Sequence, residues 1–158
     1  MQTFLPEKSF IESVRVLDWR RLGKQRVETK QILNILLNRT QTKGWRNHPI
    51  TRMWEGYEDA LKVYFNICVK EWVRRGFKNT MKLEHMPKTP IEYPDWFGDE
   101  KFHSSHRSNL LRKDYEYYSQ FGWNEDASNP YAWFDTNKNQ WYLQHVGTGI
   151  REYLSVTN

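Results

Sequence analysis

Cysteine is nearly absent from this sequence of 158 residues, because the single Cys68 excludes an intrachain disulfide and a cysteine-rich metal centre. No apolar run approaches the roughly 18 residues that a membrane span requires, and residues 1–17 lack the apolar stretch of a secretory signal peptide. Internal repeats and low-complexity tracts are also missing. These absences are typical of a soluble protein of the reducing cytoplasm, which is the localisation we expect.

Several chemical signatures are missing as well. The chain has no Walker phosphate loop, no glycine pattern of a dinucleotide-binding fold, no nucleophile elbow and no zinc-deaminase signature. His103 and His106 lie three residues apart, but no acidic or cysteine residue is spaced to complete a tetrahedral metal site with them. These absences argue against phosphoryl transfer and dinucleotide chemistry, and we expect neither a metal nor a cofactor.

Positive charge and aromatic rings, in contrast, are abundant. The formal net charge is +5 and the sequence pI is near 9.3, which favours an acidic partner such as nucleic acid. The 8 Trp, 9 Tyr and 8 Phe exceed what one core of this size needs, so we expect some of these rings at the surface. Surface rings can stack on nucleobases or pack loops against the domain.

Capping residues and apolar spacing predict helices in the first half of the chain. Ser9 is expected to cap a short helix, and Asp18 a second helix that runs to about Asn38. Residues 40–49 carry turn residues and are expected to form an ordered loop. Apolar residues then recur at helical spacing from Glu55 to Arg75, which predicts the central core helix.

The second half begins with residues 80–102, which contain three prolines and are expected to be extended. Ser104 or Ser105 could cap a further helix through SHRSNLLRK, and Asp114 a last short one through YEYYSQF. Aromatic residues in the extended segment are expected to pack against the domain, because the segment is too apolar for a free linker.

The segments YAWFD and QWYLQ near the C-terminus alternate like the two arms of a β-hairpin, with a turn at TNKN between them. The predicted fold class is therefore mainly α, with a small C-terminal β-hairpin. We expect a single compact helical domain over residues 1–158, in which residues 1–123 form the core and residues 124–158 an extension.

The segment DWRRLGKQRVE concentrates positive charge on the predicted second helix. Arg21, Lys24, Gln25 and Glu28 share one helical face, because they lie three, four and seven residues apart. Such a face favours phosphate binding, and Glu28 among the cations is a candidate catalytic carboxylate. The alternative is a solvated face on which Lys24 and Glu28 form a surface ion pair. The candidate DNA-contacting residues of this helix are Arg20, Arg21, Lys24, Gln25 and Arg26.

Two further clusters follow along the chain. The loop GWRNHP offers a stacking ring, a phosphate ligand and two groups able to read base edges, although its tryptophan could equally plug the core. The helix predicted to begin near HRSNLLRK favours a phosphate, and simple capping is the alternative there. The candidate site residues of these two regions and the segment between them are Trp45, Arg46, Asn47, His48, Arg52, Trp54, Tyr57, His106, Arg107, Asn109 and Arg112.

Five motifs of the chain resemble the pyrimidine dimer DNA glycosylase family, the phage-type endonuclease V enzymes. They are MQTFLP, RRLGKQRVE, GWRNHP-x-x-RMWEGYE, EWVRRGF and HRSNLLRKD-x-x-YYSQFGW. Together they cover residues 1–123. The resemblance implies an all-α architecture and duplex DNA as the partner, and the predicted hairpin reads as an addition to the family's core.

The resemblance also implies a mechanism. In the family, the N-terminal α-amine attacks C1′ of the damaged nucleotide and forms a Schiff base, and a helix carboxylate assists base release and strand scission. This sequence departs from the family at two positions. Gln2 is not a small residue, so we expect Met1 to be retained and to carry the amine. Arg21 stands where the characterised enzymes have their carboxylate, which leaves Glu28, Asp18 or a different activity as alternatives.

The leading hypothesis is a DNA glycosylase, with or without lyase activity, that excises a damaged or modified base by base flipping. Met1, Glu28 and His106 are its candidate catalytic residues. A hydrolytic variant would need only a carboxylate that activates water. The alternatives from other classes are a non-catalytic nucleic-acid or nucleotide-binding module on the same scaffold and a protein-interaction factor whose aromatic excess forms the interface.

Overall fold

The computed structural model describes residues 1–42 and 44–155. Helices form most of its regular structure, and a small antiparallel sheet follows them near the C-terminus. The helices are α1 Phe10–Arg15, α2 Trp19–Leu36, α3 Pro49–Trp54, α4 Glu58–Arg74, α5 Glu100–Lys113 and α6 Tyr115–Tyr118, and a 3₁₀ turn over Ser119–Phe121 continues α6. The strands are β1 Tyr131–Asp135, β2 Gln140–Gln144 and β3 Arg151–Tyr153.

The predicted start signals of the first two helices are confirmed. The Ser9 hydroxyl accepts a hydrogen bond from the backbone N–H of Glu12, and the Asp18 carboxylate accepts one from the backbone N–H of Arg21. Each bond satisfies an N–H group that has no partner within its own helix. Helix α2 therefore begins at the cationic segment and presents that segment in its first three turns.

Helix α3 was not expected from the sequence, which predicted a loop followed directly by the long core helix. His48 caps α3 by accepting a hydrogen bond from the backbone N–H of Ile50, and Pro49 occupies the first helical position. A proline at that position costs no hydrogen bond, so the pair His48–Pro49 is a recognisable signal for the start of a helix. Gly56 follows α3 with a φ of +90°, a conformation that glycine adopts without strain, and this residue separates α3 from α4.

The predicted cap of the next helix is wrong, since α5 begins at Glu100 and Asp99 caps it through the backbone N–H of Lys101. Ser105 lies inside the helix and donates its hydroxyl hydrogen bond back to the carbonyl of Phe102. Ser104 donates to Glu125 instead. Asp114 does cap α6, as expected, by accepting from the backbone N–H of Tyr117.

The core lies between helices α1 to α5 and the sheet. Helix α4 packs against α1 and α2, and strand β1 packs against α3 and α5. The largest fully buried side chains include Trp54, Tyr64, Tyr118, Phe65 and Phe102. The sheet contributes Trp133 and Tyr142 to the same apolar cluster. The sheet is therefore packed onto the helices that form the core.

The predicted hairpin is confirmed and extended. Strands β1 and β2 pair antiparallel with Trp133 opposite Tyr142, and a third strand, β3, adds to the far edge with Tyr153 opposite Tyr142. The predicted mainly α fold is thus correct for the helices and incomplete for the sheet. Among the helices described, none is both long and apolar enough to span a membrane.

Candidate nucleic-acid site at the N-terminus

The first six residues form a largely buried segment, and buried side chains form hydrogen bonds with its backbone. Gln25 of α2 accepts from the N–H of Phe4 at 2.9 Å and donates to the carbonyl of Gln2 at 2.9 Å. The Tyr64 hydroxyl donates to the carbonyl of Phe4 at 2.8 Å. Because these groups are buried, each lost bond would leave an unpaired polar group in the core. The segment is therefore held in one position by α2 and α4.

Two histidines of α5 complete this anchor by binding both backbone groups of Leu5. The N–H of Leu5 donates to His106 Nδ1 at 2.9 Å, and His103 Nδ1 donates to the carbonyl of Leu5 at 2.7 Å. Burial lowers the pKa of both imidazoles, that of His106 far below its usual value. The lowered pKa favours the neutral rings, in which His106 Nδ1 accepts from Leu5 while His103 donates through Nδ1 and accepts from the Gly98 N–H through Nε2.

The anchored segment brings the chain start to the carboxylate of α2. The backbone N–H of Gln2 donates to Glu28 Oε2 at 3.3 Å, and the indole of Trp54 donates to the Thr3 hydroxyl at 3.0 Å. A cavity of about 730 Å³ opens here. Its walls are formed by Met1, Gln2, Phe4, Asp18, Trp19, Arg20, Arg21, Lys24, Gln25, Glu28, Lys113, Asp114, Tyr131 and Trp133.

The cations of this cavity are only partly neutralised. Arg21 pairs with Asp18 at 3.2 Å. Burial raises the pKa of Asp18, but the Tyr118 hydroxyl and Arg21 outweigh it, so the pKa is lowered on balance. Arg20, Lys24 and Lys113 form no ion pair within the described residues. Partial burial and the neighbouring Arg21 and Arg112 lower the pKa of Lys113. The cavity thus carries an excess of positive charge, which attracts anions, and Glu28 is one of its lining residues.

The predicted loop cluster lies beside this cavity but does not form its wall. The His48 ring packs edge-on against Trp133, which lines the cavity, with ring centroids 6.0 Å apart. Burial and the positive charge of the chain's first residue lower the pKa of His48 to about 4. The exposed Trp45 ring packs edge-on against His48. Arg46 binds the carbonyl of Ile35 at the end of α2, and Arg52 donates to Asn47 at 2.8 Å.

Several of the residues predicted to contact DNA are buried, and the prediction is wrong for them. Trp54, Gln25 and Asn109 are almost wholly inaccessible, and their polar groups bind the protein's own backbone or side chains. No base can stack on the Trp54 ring in this fold. His106 is also fully buried, so the structure assigns it to the anchor of Leu5 and removes it from direct contact with a reacting nucleotide.

The cations predicted on α5 are bound internally as well. Arg107 pairs with Glu125 at 2.9 Å and with Glu100, and donates to the Pro6 carbonyl at 2.7 Å. Arg112 donates to Asn109 and to the carbonyl of Ala127. The half-buried Tyr57 precedes α4 and is not among the residues that line the cavity. Arg107 and Arg112 therefore have internal hydrogen-bond partners, and neither they nor Tyr57 lines the cavity.

Sequence reasoning missed the residues that the sheet and the end of α5 contribute. Tyr131 and Trp133 of β1 and Lys113 of α5 line the cavity opposite α2. The alternation in YAWFD signals a strand, but it does not reveal which element that strand will face. The described residues hold no cluster of three His, Cys, Asp or Glu that could bind a metal ion.

Comparison with known protein families identifies the family of this chain. The sequence model of the pyrimidine dimer DNA glycosylase family matches residues 1–85, which is more than half of the chain. The chain belongs to this family. A search of curated proteins and a search of solved structures each gave no match.

Membership of the pyrimidine dimer DNA glycosylase family indicates DNA as the substrate and DNA repair as the process. The matched part contains α1 to α4, the anchored N-terminal segment and Glu28. It does not contain α5 or the sheet, although both line the cavity. The family match therefore does not include the residues of α5 and of the sheet that line the cavity.

Proposed function

We propose that this protein is a DNA glycosylase that excises a damaged pyrimidine from duplex DNA, with Glu28 as the assisting carboxylate. The observation that carries the proposal is the contact between Glu28 and the backbone N–H of Gln2 inside a cationic cavity. Because α2, α4 and α5 all bind the N-terminal segment, this contact is built into the core. Family membership supplies the reaction class.

In this proposal the α-amine of Met1 attacks C1′ of the damaged nucleotide. A bond forms between the amine nitrogen and C1′ while the glycosidic bond breaks, and the base leaves with the bonding electrons and takes up a proton. Glu28 accepts the proton that the nitrogen loses. Opening of the sugar ring, with O4′ protonated, then leaves an imine that permits β-elimination of the 3′ phosphate. Arg20, Lys24 and Lys113 would hold the flanking phosphates.

Asp18 is the other carboxylate that the sequence offered for this role. It caps α2, pairs with Arg21 and accepts a hydrogen bond from the Tyr118 hydroxyl, so its oxygens are already engaged. Glu28 accepts only the Gln2 N–H among the bonds found within the described residues. This difference in engagement favours Glu28 as the group that accepts a proton during turnover.

The decisive experiment is borohydride trapping on duplexes that contain either a cyclobutane dimer or an abasic site. A covalent adduct on both duplexes supports the imine mechanism. Release of the base without an adduct supports a hydrolytic glycosylase in which Glu28 activates water. DNA binding without release or adduct on any damaged duplex would contradict the proposal and support the non-catalytic module. Intact mass of the purified protein shows which residue carries the amine.

A further inference from the structure

A shallow apolar groove lies on the outer face of α2, next to the N-terminal cavity. Its volume is about 480 Å³, and it shares Trp19, Arg20, Lys24 and Glu28 with that cavity. Its other lining residues are Gly23, Val27, Gln31 and Trp72. The two concavities are therefore adjacent, because the same four residues of α2 line both of them.

The floor of the groove is the indole of Trp72, which is fixed in place from several sides. A Cβ atom on Gly23 would lie only 3.1 Å from this ring, so the glycine allows the indole to lie against α2. The Arg26 guanidinium lies 4.1 Å from one ring centroid of Trp72, and Phe77 stacks at 4.2 Å. The indole N–H donates to the carbonyl of Lys78 at 2.8 Å. These contacts hold the indole rigidly against α2 and place Phe77 beside it.

Aromatic surface is exposed to solvent both on Trp19, which lines the groove, and on Phe77, which adjoins the Trp19 and Trp72 rings. Trp19 is 53% exposed and Phe77 is 36% exposed, and their rings are nearly parallel with centroids 6.1 Å apart. Val27 beside them is 44% exposed. Single exposed apolar residues are ordinary on protein surfaces, but a contiguous aromatic patch marks a binding site. Because the rings are open and parallel, the patch suits planar groups.

The charges around the rings identify the class of occupant. The Arg20 guanidinium lies 5.3 Å from the Trp19 ring, and neither Arg20 nor Lys24 forms an ion pair within the described residues. Cations interleaved with exposed rings fit a chain of phosphates and flat bases. An apolar peptide would leave these cations without counter-charges.

We propose that Trp19 and Phe77 form a second base-binding subsite, on which an unpaired nucleobase adjoining the reacting nucleotide stacks. This inference rests on the proposed function of the neighbouring cavity. The adjoining nucleotide would lose its stacking partner when the reacting nucleotide leaves the duplex. Stacking on the Trp19 ring replaces that lost contact, while Arg20 and Lys24 hold the phosphates between the two subsites.

The test uses the full protein and a duplex that carries a non-reactive tetrahydrofuran abasic analogue. Trp19→Ala should weaken binding of this duplex about 10-fold, and Trp19→Phe should restore much of the affinity. Tyr93→Ala, which removes another exposed ring from a different part of the surface, should leave the affinity unchanged. Thermal denaturation of each variant checks that it is folded.

A second measurement locates the base directly. With 5-iododeoxyuridine next to the abasic analogue, irradiation should crosslink the DNA to the peptide that contains Trp19 or to the one that contains Phe77. Crosslinks confined to other peptides, or equal affinities of Trp19→Ala and Tyr93→Ala, would overturn the inference while wild-type turnover leaves the proposed function intact. A dimer in sedimentation that Trp19→Ala abolishes would instead identify a second copy as the occupant. Failure of the wild type to bind any duplex would refute both proposals.

Discussion

Helices α2 and α5 both carry clusters of cations, and the fold gives Arg20 and Lys24 of α2 different surroundings from Arg107 of α5. On α2, Arg20 and Lys24 line the cavity and form no ion pair within the described part of the chain. On α5, Arg107 binds two carboxylates and a backbone carbonyl. A cationic motif therefore predicts phosphate binding only where the tertiary structure leaves its charges without partners. The substitutions of Glu28, Arg107 and Lys24 described below test this contrast.

The largest effect is expected at the carboxylate on the α2 side. Glu28→Gln keeps the size of the side chain but removes its ability to accept a proton, so base release should slow by about 10² to 10⁴-fold. Binding of the damaged duplex should change little, because the cations remain. Single-turnover kinetics and a gel-shift titration measure the two quantities. Glu58→Gln, on another helix, is the matched control, and equal rates for both variants would exclude Glu28 from the chemistry.

The corresponding substitution on α5 should affect stability instead. Arg107→Ala leaves Glu125 without its cationic partner and the Pro6 carbonyl without a donor, which should cost about 2 to 3 kcal/mol of unfolding free energy. Urea denaturation measures this cost. DNA affinity per folded molecule should stay near the wild-type value, and a large loss of affinity at unchanged stability would show that Arg107 binds phosphates.

Acid should weaken the fold before any carboxylate of the core is protonated. The lowered pKa values of His48, His103 and His106 mean that the unfolded chain binds protons more readily than the folded one below about pH 6.5. The free energy of unfolding therefore has its full value above that pH. It decreases as the pH falls towards the pKa values of these histidines in the folded state, about 4 for His48. Melting temperatures at pH 7 and pH 5 should differ by several degrees.

His48→Gln should reduce this pH dependence, because it removes one of the three titrating groups. The exposed His85 offers a matched control, and His85→Gln should leave the difference between the two melting temperatures as in the wild type. If both variants behaved alike, the low pKa of His48 and its position beside the charged chain start would both be contradicted.

The smallest effect is expected from a single phosphate contact. Lys24→Gln should weaken duplex binding a few-fold and lower the slope of log affinity against log salt by about 0.9. Lys101→Gln on α5 is the control, because Lys101 already pairs with Asp99 at 2.8 Å. Titrations at four salt concentrations measure both slopes. Equal slopes for the two variants would remove the contrast between the helices.

Local signals predicted a large part of this protein. Ser9, Asp18 and Asp114 cap helices as expected, since a cap depends on residues within one turn of it. The α2 face of the site was also predicted, because helical spacing alone brings Arg21, Lys24 and Glu28 together.

Other parts of the site depended on contacts between distant residues. His106 and Trp54 were expected to meet a nucleotide, yet one binds Leu5 and the other binds Thr3, each far away in the chain. Tyr131 and Trp133 lie across the cavity from α2 only because β1 packs against α3 and α5. Sequence spacing carries no information on such long-range contacts.

The sequence by itself determined most of the helices, the hairpin, the basic charge and the cationic face of α2, because each depends on composition or on neighbours within a few residues. The tertiary structure alone decided which cations stay free, which histidines are neutral and buried, and that Gln2 meets Glu28. Those outcomes follow from burial and from hydrogen bonds between residues up to 101 positions apart. Such bonds form only once the N-terminal segment is enclosed by α2, α4 and α5.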